Sequence, residues 1–215
     1  VPMPAYITLI DRKVNVPFML AEAAWIISGS NRLEDITPYM KRYANFSDDG
    51  VFLRGAYGPK VVDQLGYVVD SIEKDQDTRQ AFLNIWRERP GPSKDIPCTT
   101  SIQFLLREGK LNIVVTMRSQ DIVLGFTYDV FTFSMIARSV QLLLRARGIE
   151  SELGTLYLNA GSLHIYERHY EDGLKWSNSI AGDSTIDRTV SKVLEVDTYE
   201  ELIKVLKKEA DEYES

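Results

Sequence analysis

One twelve-residue segment, RSQDIVLGFTYD at residues 118–129, constrains this chain more than any other feature of its sequence. It places Arg118, Asp121 and Asp129 among apolar residues such as Val123 and Phe126, in a stretch whose pattern predicts buried sheet. Burying a charge without a partner costs on the order of several kcal/mol, so such charges persist only where something compensates them. The segment therefore requires partners for all three charged groups.

The length and composition indicate one ordinary globular domain that covers residues 1–215. Of the 215 residues, 44% are hydrophobic and 26% are charged, which is close to the average of folded proteins and argues against disorder and coiled coil. A chain of this length can bury a sizeable core as a single α/β or α+β unit.

The charge balance limits the possible partners. Lysine and arginine number 25 against 31 aspartate and glutamate residues, for a net charge of −6, so the chain offers no general field for nucleic acid. An anionic ligand would have to be held by a few placed arginines. No apolar run approaches the roughly 20 residues of a membrane-spanning helix, and we predict a cytoplasmic protein without membrane contact.

The single cysteine, Cys98, excludes an internal disulfide and a cysteine-based zinc site, and no metal is expected. It lies after Ile96-Pro97 and before a predicted strand, where a thiol can be both anchored and accessible. The residue is either an inert thiol or a nucleophile, and a nearby cation such as Arg118 would favour the nucleophile by stabilising the thiolate.

Hydrophobic periodicity predicts helices and strands in alternation. The first helix, residues 17–28, is closed by Gly29 and carries Glu22 as its only charge. Residues 31–50 are expected to form a polar loop, and two strands are joined across residues 108–110 as a hairpin. The remaining predictions are helices at 60–73, 131–147 and 198–214, a helix from Leu163 that carries both histidines, and strands at 81–86, 99–107, 111–117 and 154–160.

Short motifs relate the chain to a known family. The 118–129 segment resembles the RSxD-x(3)-G-x(3)-N motif of the thymidylate synthase family. Five further motifs follow the family's order: AEAAWIISG for its glutamate helix, RGAYG for GPVYG, DQDTRQ for DPDSRR, PCTTSIQF for PCHxxxQF and GSLHIY for GDAHIY. Because the motifs remain in register from residue 22 to residue 166, the chain is identified as a member of this family.

The resemblance implies a thymidylate synthase fold: an α/β (α+β) domain whose mixed β-sheet is covered by helices, in a homodimer with its sheets back to back. It implies transfer of a one-carbon unit from 5,10-methylenetetrahydrofolate to C5 of a pyrimidine nucleoside monophosphate. Cys98 is the implied nucleophile at C6, Glu22 organises water for proton transfer, and Tyr57 assists near C5. Since Glu22 has apolar neighbours, we expect its pKa to be raised.

The resemblance also implies the ligand contacts. For the nucleotide these are Arg79, Gln103, Arg118, Ser119, His164 and Tyr166, and for folate they are Asp121, Leu124, Gly125 and Tyr128. Arg118 matches a phosphate ligand of the same subunit, whereas Arg79 matches an arginine that reaches into the partner's site. Phosphate, pterin and base would then satisfy the charges of residues 118–129.

Two departures from the family pattern indicate the base. Asp129 stands where the synthases have an asparagine that pairs with uracil, and Thr99 stands where they have histidine. A carboxylate only accepts hydrogen bonds, so it would repel O4 of uracil and accept from the 4-amino group of cytosine. It could also accept from N3 of cytosine when that atom becomes protonated, which would stabilise developing charge. These departures are similar to the phage-type deoxycytidylate 5-hydroxymethyltransferases of the family.

Several alternatives remain at this stage. Residues 31–50 lack the tryptophan that the synthases carry there, which favours a site that admits water and hence a hydroxymethyl product. The rivals that share the fold are a CMP hydroxymethylase, a dCMP 5-methyltransferase and a divergent thymidylate synthase acting on dUMP. A non-catalytic nucleotide-binding paralogue is the alternative from another class, against which Cys98, Glu22 and Tyr57 argue.

Overall fold

The fold combines a mixed β-sheet with helices, and the computed structural model describes residues 1–7, 9, 11–86, 91–180, 182 and 184–213, without the side chain of residue 184. The strands are β1 (Phe82–Asn84), β2 (Thr99–Arg107), β3 (Lys110–Met117), β4 (Gln120–Asp121), β5 (Glu152–Ala160) and β6 (Leu163–His164). The helices are α1 (Val16–Ile27), α2 (Gly58–Lys74), α3 (Phe126–Arg145), α4 (Tyr170–Ser177), α5 (Ser184–Leu194) and α6 (Tyr199–Glu212). Short 3₁₀ helices cover Leu33–Asp35, Lys41–Phe46 and Glu167–His169.

The central sheet has four strands in the order β1-β2-β3-β5, and β4 and β6 form a separate small sheet. Strands β2 and β3 are antiparallel with Phe104 opposite Ile113, and β3 pairs with β5 in parallel. The turn between β2 and β3 places Glu108 and Gly109 at positive φ, which glycine adopts without steric cost. Side chains alternate along β2, so one face of the sheet is buried while the other is partly exposed.

Helices α1 and α3 are the buried helices of the core. The side chain of Asn15 caps α1 by accepting from the amide of Phe18 at 3.1 Å, and Gly29 follows the helix with φ of +80°. Nearly every residue of α1 is buried, including Glu22, and the helix packs against α3 and α6. A carboxyl group is therefore fixed inside the apolar core, where only a functional partner or a proton can compensate it.

The hairpin and the small sheet position the predicted site. Because Thr99 lies opposite Met117, the residues just outside the hairpin, Cys98 and Arg118, are neighbours, and the amide of Arg118 donates to the carbonyl of Cys98 at 2.8 Å. In the small sheet Asp121 lies opposite His164. Two motifs that are far apart in the sequence thus meet beyond the C-terminal ends of the neighbouring strands β3 and β5.

Most predicted elements are confirmed, but two interpretations were wrong. Residues 118–129 do not form a buried sheet: after the short strand β4 the chain turns and enters α3, so Asp129 lies on a helix. The predicted helix from Leu163 is also wrong, because Leu163 and His164 pair with β4 as strand β6, and α4 begins only at Tyr170. At Leu163 and His164, pairing with the distant strand β4 overrides the local pattern.

The polar loop at 31–50 contains two 3₁₀ helices, and α3 begins earlier than predicted, at Phe126. Helix α5 was not predicted from the sequence, although Ile186, Val190 and Val193 recur at helical spacing and are buried. In the described part of the chain, no helix has the length and apolar character that a membrane crossing requires.

Candidate active site

A cavity of about 670 Å³ opens where α1, the 41–46 segment, the Cys98 loop, β4 and the start of α3 converge. This volume lies within the roughly 300–1,000 Å³ that small-molecule sites occupy. Twelve of the predicted site residues line it: Glu22, Tyr57, Cys98, Arg118, Ser119, Asp121, Leu124, Gly125, Tyr128, Asp129, His164 and Tyr166. The sequence motifs therefore mark one place in the fold.

The thiol of Cys98 lies against a guanidinium group. Nη2 of Arg118 lies 3.8 Å from Sγ, and its Nε and Nη2 donate to the carbonyls of Pro97 and Ile96 at 3.0 Å. Burial raises the pKa of the Cys98 thiol, Arg118 opposes that rise, and Asp129 and Asp95 add to it. The thiol is thus largely protonated at neutral pH in the free protein, and Arg118 is the group that favours its thiolate.

Tyr57 approaches the same thiol from the turn before α2. Its phenolic oxygen accepts from the amide of Thr99 at 3.2 Å, which fixes the ring beside the Cys98 loop. Asp95 anchors this turn from the other side, since its Oδ2 accepts from the amide of Gly55 at 2.7 Å. Desolvation and Asp129 raise the pKa of Tyr57 well above its ordinary value, so the phenol remains neutral.

Glu22 is the buried acid of the cavity, with 8% of its surface exposed. The hydroxyl of Tyr43, in the 41–46 segment, donates to its Oε1. Desolvation and the negative charge of Asp129 raise the pKa of Glu22 to about 8, and the bond from Tyr43 opposes that rise. Most Glu22 side chains therefore carry a proton at pH 7, which confirms the expected raised pKa and suits an acid that exchanges protons with a ligand or water.

Asp129 lies on the first turn of α3. Together with Glu22 it lines the part of the cavity that we call the inner end. Its Oδ2 accepts from Nε2 of Gln120 at 2.9 Å. Desolvation raises the pKa of Asp129 to about 6, and the bond from Gln120 opposes this rise. At pH 7 the ionised form of the carboxyl therefore prevails, and it acts as an acceptor.

Asp121 is held in a different way. It lies at the outer end of the cavity, by which we mean the part lined by Arg12, Arg118 and Asp121. Its Oδ1 accepts from the amides of Val123 and Leu124 at 2.7 and 3.1 Å, whereas its Oδ2 is buried without a partner among the described residues. Arg12 lies close by: it donates to the carbonyl of Val123, and its guanidinium stacks 4.5 Å from the ring of Trp176. The free oxygen of Asp121 can accept from a ligand.

His164 and Tyr166 form a third wall of the cavity. Their ring centroids are 5.2 Å apart in an edge-to-face arrangement, and the guanidinium of Arg168 stacks 4.4 Å from the Tyr166 ring. Among the described residues, the only hydrogen-bond partner of the His164 ring nitrogens is the Ser162 carbonyl, 3.4 Å from Nδ1, so Nε2 is open to a ligand hydroxyl. The predicted contact of these two residues with a sugar hydroxyl stays a prediction.

Two predicted residues do not reach this cavity. Gln103 lies on the sheet face away from the helices, where its Nε2 donates to the carbonyl of Arg79 at 2.9 Å, and Arg79 is exposed beside it. Alternation along β2 causes this placement, because Ile102 and Phe104 point to the core. Within one chain, Gln103 therefore does not line the cavity, and its predicted contact with the nucleotide stays a prediction. The predicted reach of Arg79 into a partner stays a prediction.

The sequence reading missed three residues that shape the site. Tyr43 and Gln120 bond the two inner carboxyl groups, and Arg12 lies beside Asp121. Gln120 was within the RSQD motif, so its position between two acids was a usable signal. Nothing local to Tyr43 or Arg12 pointed to the cavity, since their approach depends on how the 41–46 segment and the N-terminal segment fold over it.

Comparison with known proteins agrees with this architecture. The family model of thymidylate synthase matches residues 5–179, and the chain belongs to the thymidylate synthase family. Among solved structures, thymidylate synthase A from Bacillus subtilis superposes with a TM-score of 0.71 at 22% identity over 85% of this chain and 69% of that one. The synthase from T4 phage gives 0.70 at 22% identity over 96% and 78%. The predicted fold of the domain is thereby confirmed, whereas the predicted homodimer stays a prediction.

Curated relatives include deoxyuridylate hydroxymethyltransferases of phages. That of Bacillus phage SP01 is 31% identical over 89% of this chain and 54% of its own length. That of Delftia phage PhiW-14 is 31% identical over 80% of this chain and 51% of its own length. The chain thus spans about half the length of these relatives.

Within the described residues, no group of three or more His, Cys, Asp or Glu side chains is placed to hold a metal ion.

Proposed function

We propose that this protein transfers a one-carbon unit to C5 of deoxycytidylate with addition of water, giving 5-hydroxymethyl-dCMP. The observation that carries the proposal is the constellation of three groups in one cavity: the Cys98 thiol, the protonated acid Glu22 and the ionised acceptor Asp129. A nucleophile, a proton donor and a base-reading acceptor at one place support chemistry on a ring that must be activated before it reacts.

The co-substrate implied by the family, 5,10-methylenetetrahydrofolate, fits the outer part of the cavity. Among the described residues, Oδ2 of Asp121 is a buried acceptor without a partner, and such an atom suits the N–H groups of a pterin. Leu124, Gly125 and Tyr128 line the adjacent wall, so these four residues would hold the folate. When bound, the folate supplies a carbon at the oxidation level of formaldehyde.

The chain's own groups perform the remaining work on the nucleotide. Sγ of Cys98, as a thiolate, forms a bond to C6 and so makes C5 nucleophilic; later that bond breaks and the C5=C6 double bond returns. Between these events C5 would gain the one-carbon substituent and lose its proton, the two bonds of that carbon to folate nitrogens would break, and the carbon would take up hydroxide from water. The C5 proton and the remaining proton of that water would go to the two nitrogens, and tetrahydrofolate would leave. Glu22 can hold or move the protons involved, since its pKa of about 8 allows both states near neutral pH.

The choice of cytosine rests on Asp129. Its ionised carboxyl can accept from an amino group at C4 but would repel a carbonyl there. Oδ2 accepts from Gln120, which leaves Oδ1 for the base. An unfavourable carboxylate facing uracil O4 in a desolvated site would cost on the order of 1–3 kcal/mol or more, because neither group would find a donor.

Hydroxymethylation of deoxyuridylate is the second candidate. It is favoured by the relatives from Bacillus phage SP01 and Delftia phage PhiW-14, which are deoxyuridylate hydroxymethyltransferases. Asp129 would then have to be protonated while the uracil is bound, and its pKa of about 6 makes that form accessible below neutral pH. The pH dependence of the base preference therefore separates the two candidates.

The phosphate and the second subunit belong to the same proposal. Arg118 still has its Nη1 free of hydrogen bonds among the described residues, and it can bind phosphate beside Ser119. The exposed sheet face carries Arg79 and Gln103, together with Phe82 and Tyr157 at 37% and 55% exposure. A second copy packed on this face would cover these side chains, and it could carry Arg79 into the neighbouring site.

The test is to incubate the protein with methylenetetrahydrofolate and dCMP, dUMP or CMP and to weigh each product. We expect hydroxymethyl-dCMP as the main product. A methyl-dCMP product, or product from dUMP or CMP in place of dCMP, would replace the proposal with one of its rivals. Release of tritium from C5 of labelled dCMP, compared with a Cys98→Ser variant, separates an enzyme from a nucleotide-binding paralogue, since only a catalytic thiol exchanges that proton.

A further inference from the structure

Gln120 is the most confined polar side chain of the cavity, with 1% of its surface exposed. Its Nε2 donates to Oδ2 of Asp129 at 2.9 Å and approaches the carbonyl of Asp121 at 3.3 Å, while its Oε1 is buried without a partner among the described residues. A methyl group at Gly125 would lie 2.9 Å from this Nε2 and 3.0 Å from Oδ2 of Asp129. The glycine therefore makes room for the pair.

We propose that Gln120 is a positioning residue that keeps the Asp129 carboxyl ionised and directs its second oxygen to the base, so that the pair, rather than Asp129 alone, selects an amino group at C4. This inference rests on the proposed function. Nothing in the family resemblance required a glutamine at this position; the argument comes from the geometry of the two side chains.

The surroundings of Asp129 explain why the amide matters. The titratable groups that face it are Glu22 from α1, Tyr43 from the 41–46 segment, Tyr57 from the turn before α2 and Cys98 from the loop before β2. Each of them is neutral or negative near pH 7. No cation faces Asp129 among these neighbours, and Gln120 supplies the hydrogen bond that offsets its desolvation.

The orientation of the amide is coupled to the proton on Asp129. An ionised carboxylate needs a donor, which Nε2 provides, whereas a protonated carboxyl would suit Oε1 after a half-turn of the amide. The observed contacts favour the first arrangement, because Nε2 meets two acceptors, Oδ2 of Asp129 and the carbonyl of Asp121. A half-turn would oppose Oε1 to the Asp121 carbonyl. The local backbone thus stabilises the amide orientation that fits the ionised acid.

Replacing Gln120 with methionine keeps most of the volume and removes the donor. In Gln120→Met we expect the pKa of Asp129, followed by the ¹³C shift of its carboxyl in the protein without nucleotide, to rise from about 6. The ratio of kcat/KM for dCMP to that for dUMP should fall about tenfold at pH 7, as expected from loss of one charge-assisted hydrogen bond. The pH at which this ratio changes should move upward with the pKa.

Two further variants guard the interpretation. Gly125→Ala keeps the amide but crowds it, so it should shift the Asp129 pKa in the same direction as Gln120→Met. It provides the test if Gln120→Met does not fold. Gln64→Met is the matched control: Nε2 of Gln64 donates to the carbonyl of Asn84 and its Oε1 accepts from the amide of Asn84, both at 3.0 Å, and Gln64 is not among the residues that line the cavity. Loss of this amide should leave the ratio and the Asp129 pKa unchanged.

The outcomes separate the inference from the proposed function. Equal losses of rate on dCMP and dUMP, with an unmoved Asp129 pKa, would show that Gln120 is merely structural and would overturn the inference while hydroxymethyl-dCMP formation stands. A shifted pKa with an unchanged ratio would also overturn it, because base selection would not depend on the pair. If the wild-type protein instead makes product only from dUMP while the variant shifts the pKa, the proposed function fails and the hold of Gln120 on Asp129 remains.

Discussion

The inner and outer ends of the cavity satisfy their charged groups in opposite ways. At the inner end, Glu22 and Asp129 have raised pKa values of about 8 and about 6, and neutral groups, Tyr43 and Gln120, supply their hydrogen bonds. At the outer end, Arg12 and Arg118 are held by backbone carbonyls, and none of their contacts is an ion pair with a carboxylate among the described residues.

This difference teaches what each end can do. Acids without cations keep pKa values close to neutral pH, where they exchange protons and where a single proton changes what they can recognise. Guanidinium groups bound by carbonyls and aromatic rings keep their full charge available, which an anionic ligand can use even in a chain of net charge −6. Cys98 lies at the boundary, with Arg118 favouring its thiolate and Asp129 opposing it.

The largest effect is expected at that boundary. Cys98→Ser replaces the thiol with a hydroxyl whose proton is far harder to remove, so the rate of tritium release from C5 should fall roughly 10³-fold or more. Binding of dCMP, measured by calorimetry, should persist, because the phosphate and base contacts are untouched. Retained exchange in this variant would mean that no covalent step at Cys98 is needed.

At the inner end, Glu22→Gln removes the exchangeable proton while keeping shape. We expect kcat to fall by roughly 10²- to 10⁴-fold, the range of general acid–base contributions. The wild-type rate should decline as pH rises through about 8, because Glu22 then loses its proton. The variant should lack this limb in a profile of kcat against pH. A limb of the same midpoint in the variant would assign the titration to another group.

The same carboxyl predicts how stability depends on pH. Glu22 has a folded-state pKa of about 8 against an ordinary value of 4.5, so the folded state binds the proton more tightly than the unfolded state. Its contribution to the free energy of unfolding is therefore fully present below about pH 4.5 and is lost as pH rises through 8. The free energy of unfolding, measured with urea at several pH values, should decline less steeply between about pH 4.5 and pH 8 in Glu22→Gln than in the wild type. Identical slopes against pH would count against a buried acid.

Asp129→Asn tests the inner acceptor with a smaller expected change. An amide can donate to O4 of uracil, so the preference for dCMP over dUMP should fall by roughly tenfold to a hundredfold, measured as the ratio of kcat/KM values. Asp95→Asn is the matched control. Like Asp129, Asp95 is a carboxylate that raises the pKa of Cys98, but its Oδ2 accepts from the amide of Gly55 and is not expected to face the base. Its ratio should stay that of the wild type, and a change there would point to net charge rather than base reading.

The sequence was sufficient to predict elements whose signals are local. The hairpin of β2 and β3 and helix α1 have their expected bounds almost to the residue, because alternation, turn residues and apolar runs coincide there. The motifs also assembled Cys98, Arg118 and Asp129 correctly into one cavity. Family motifs carry this information because they name residues that meet in space.

What the sequence could not predict depends on pairing between distant segments. Residues 163–164 pair with residues 120–121 in a small parallel sheet, so the local helical pattern from Leu163 misassigned them. Tyr43 reaches Glu22 only because the 41–46 segment folds over α1, and its aromatic neighbours Phe18 and Trp25 hold it there. A tyrosine in a polar loop gives no sign of such a partner, which is why the hydrogen bond to the buried acid was missed.

The smallest expected effect concerns that hydrogen bond. Tyr43→Phe keeps the ring contacts with Phe18 and Trp25 but removes the donor to Glu22, whose pKa this bond lowers. The pKa of Glu22 should rise, and the alkaline limb of the kcat profile should move above about pH 8 with a loss of only a few-fold in rate. Stability at neutral pH should fall by about 1 kcal/mol, the typical value of one hydrogen bond.

Tyr39→Phe provides the matched control for this prediction, because it also removes a tyrosine hydroxyl that donates to an acid, Asp211, but at the surface and outside the cavity. It should leave the alkaline limb in place. If both variants leave the limb unchanged, Tyr43 does not tune Glu22, and the contrast between the two ends would rest on desolvation alone. If only Tyr43→Phe moves it, then neutral hydrogen-bond donors, as well as burial, set the proton chemistry of the inner end.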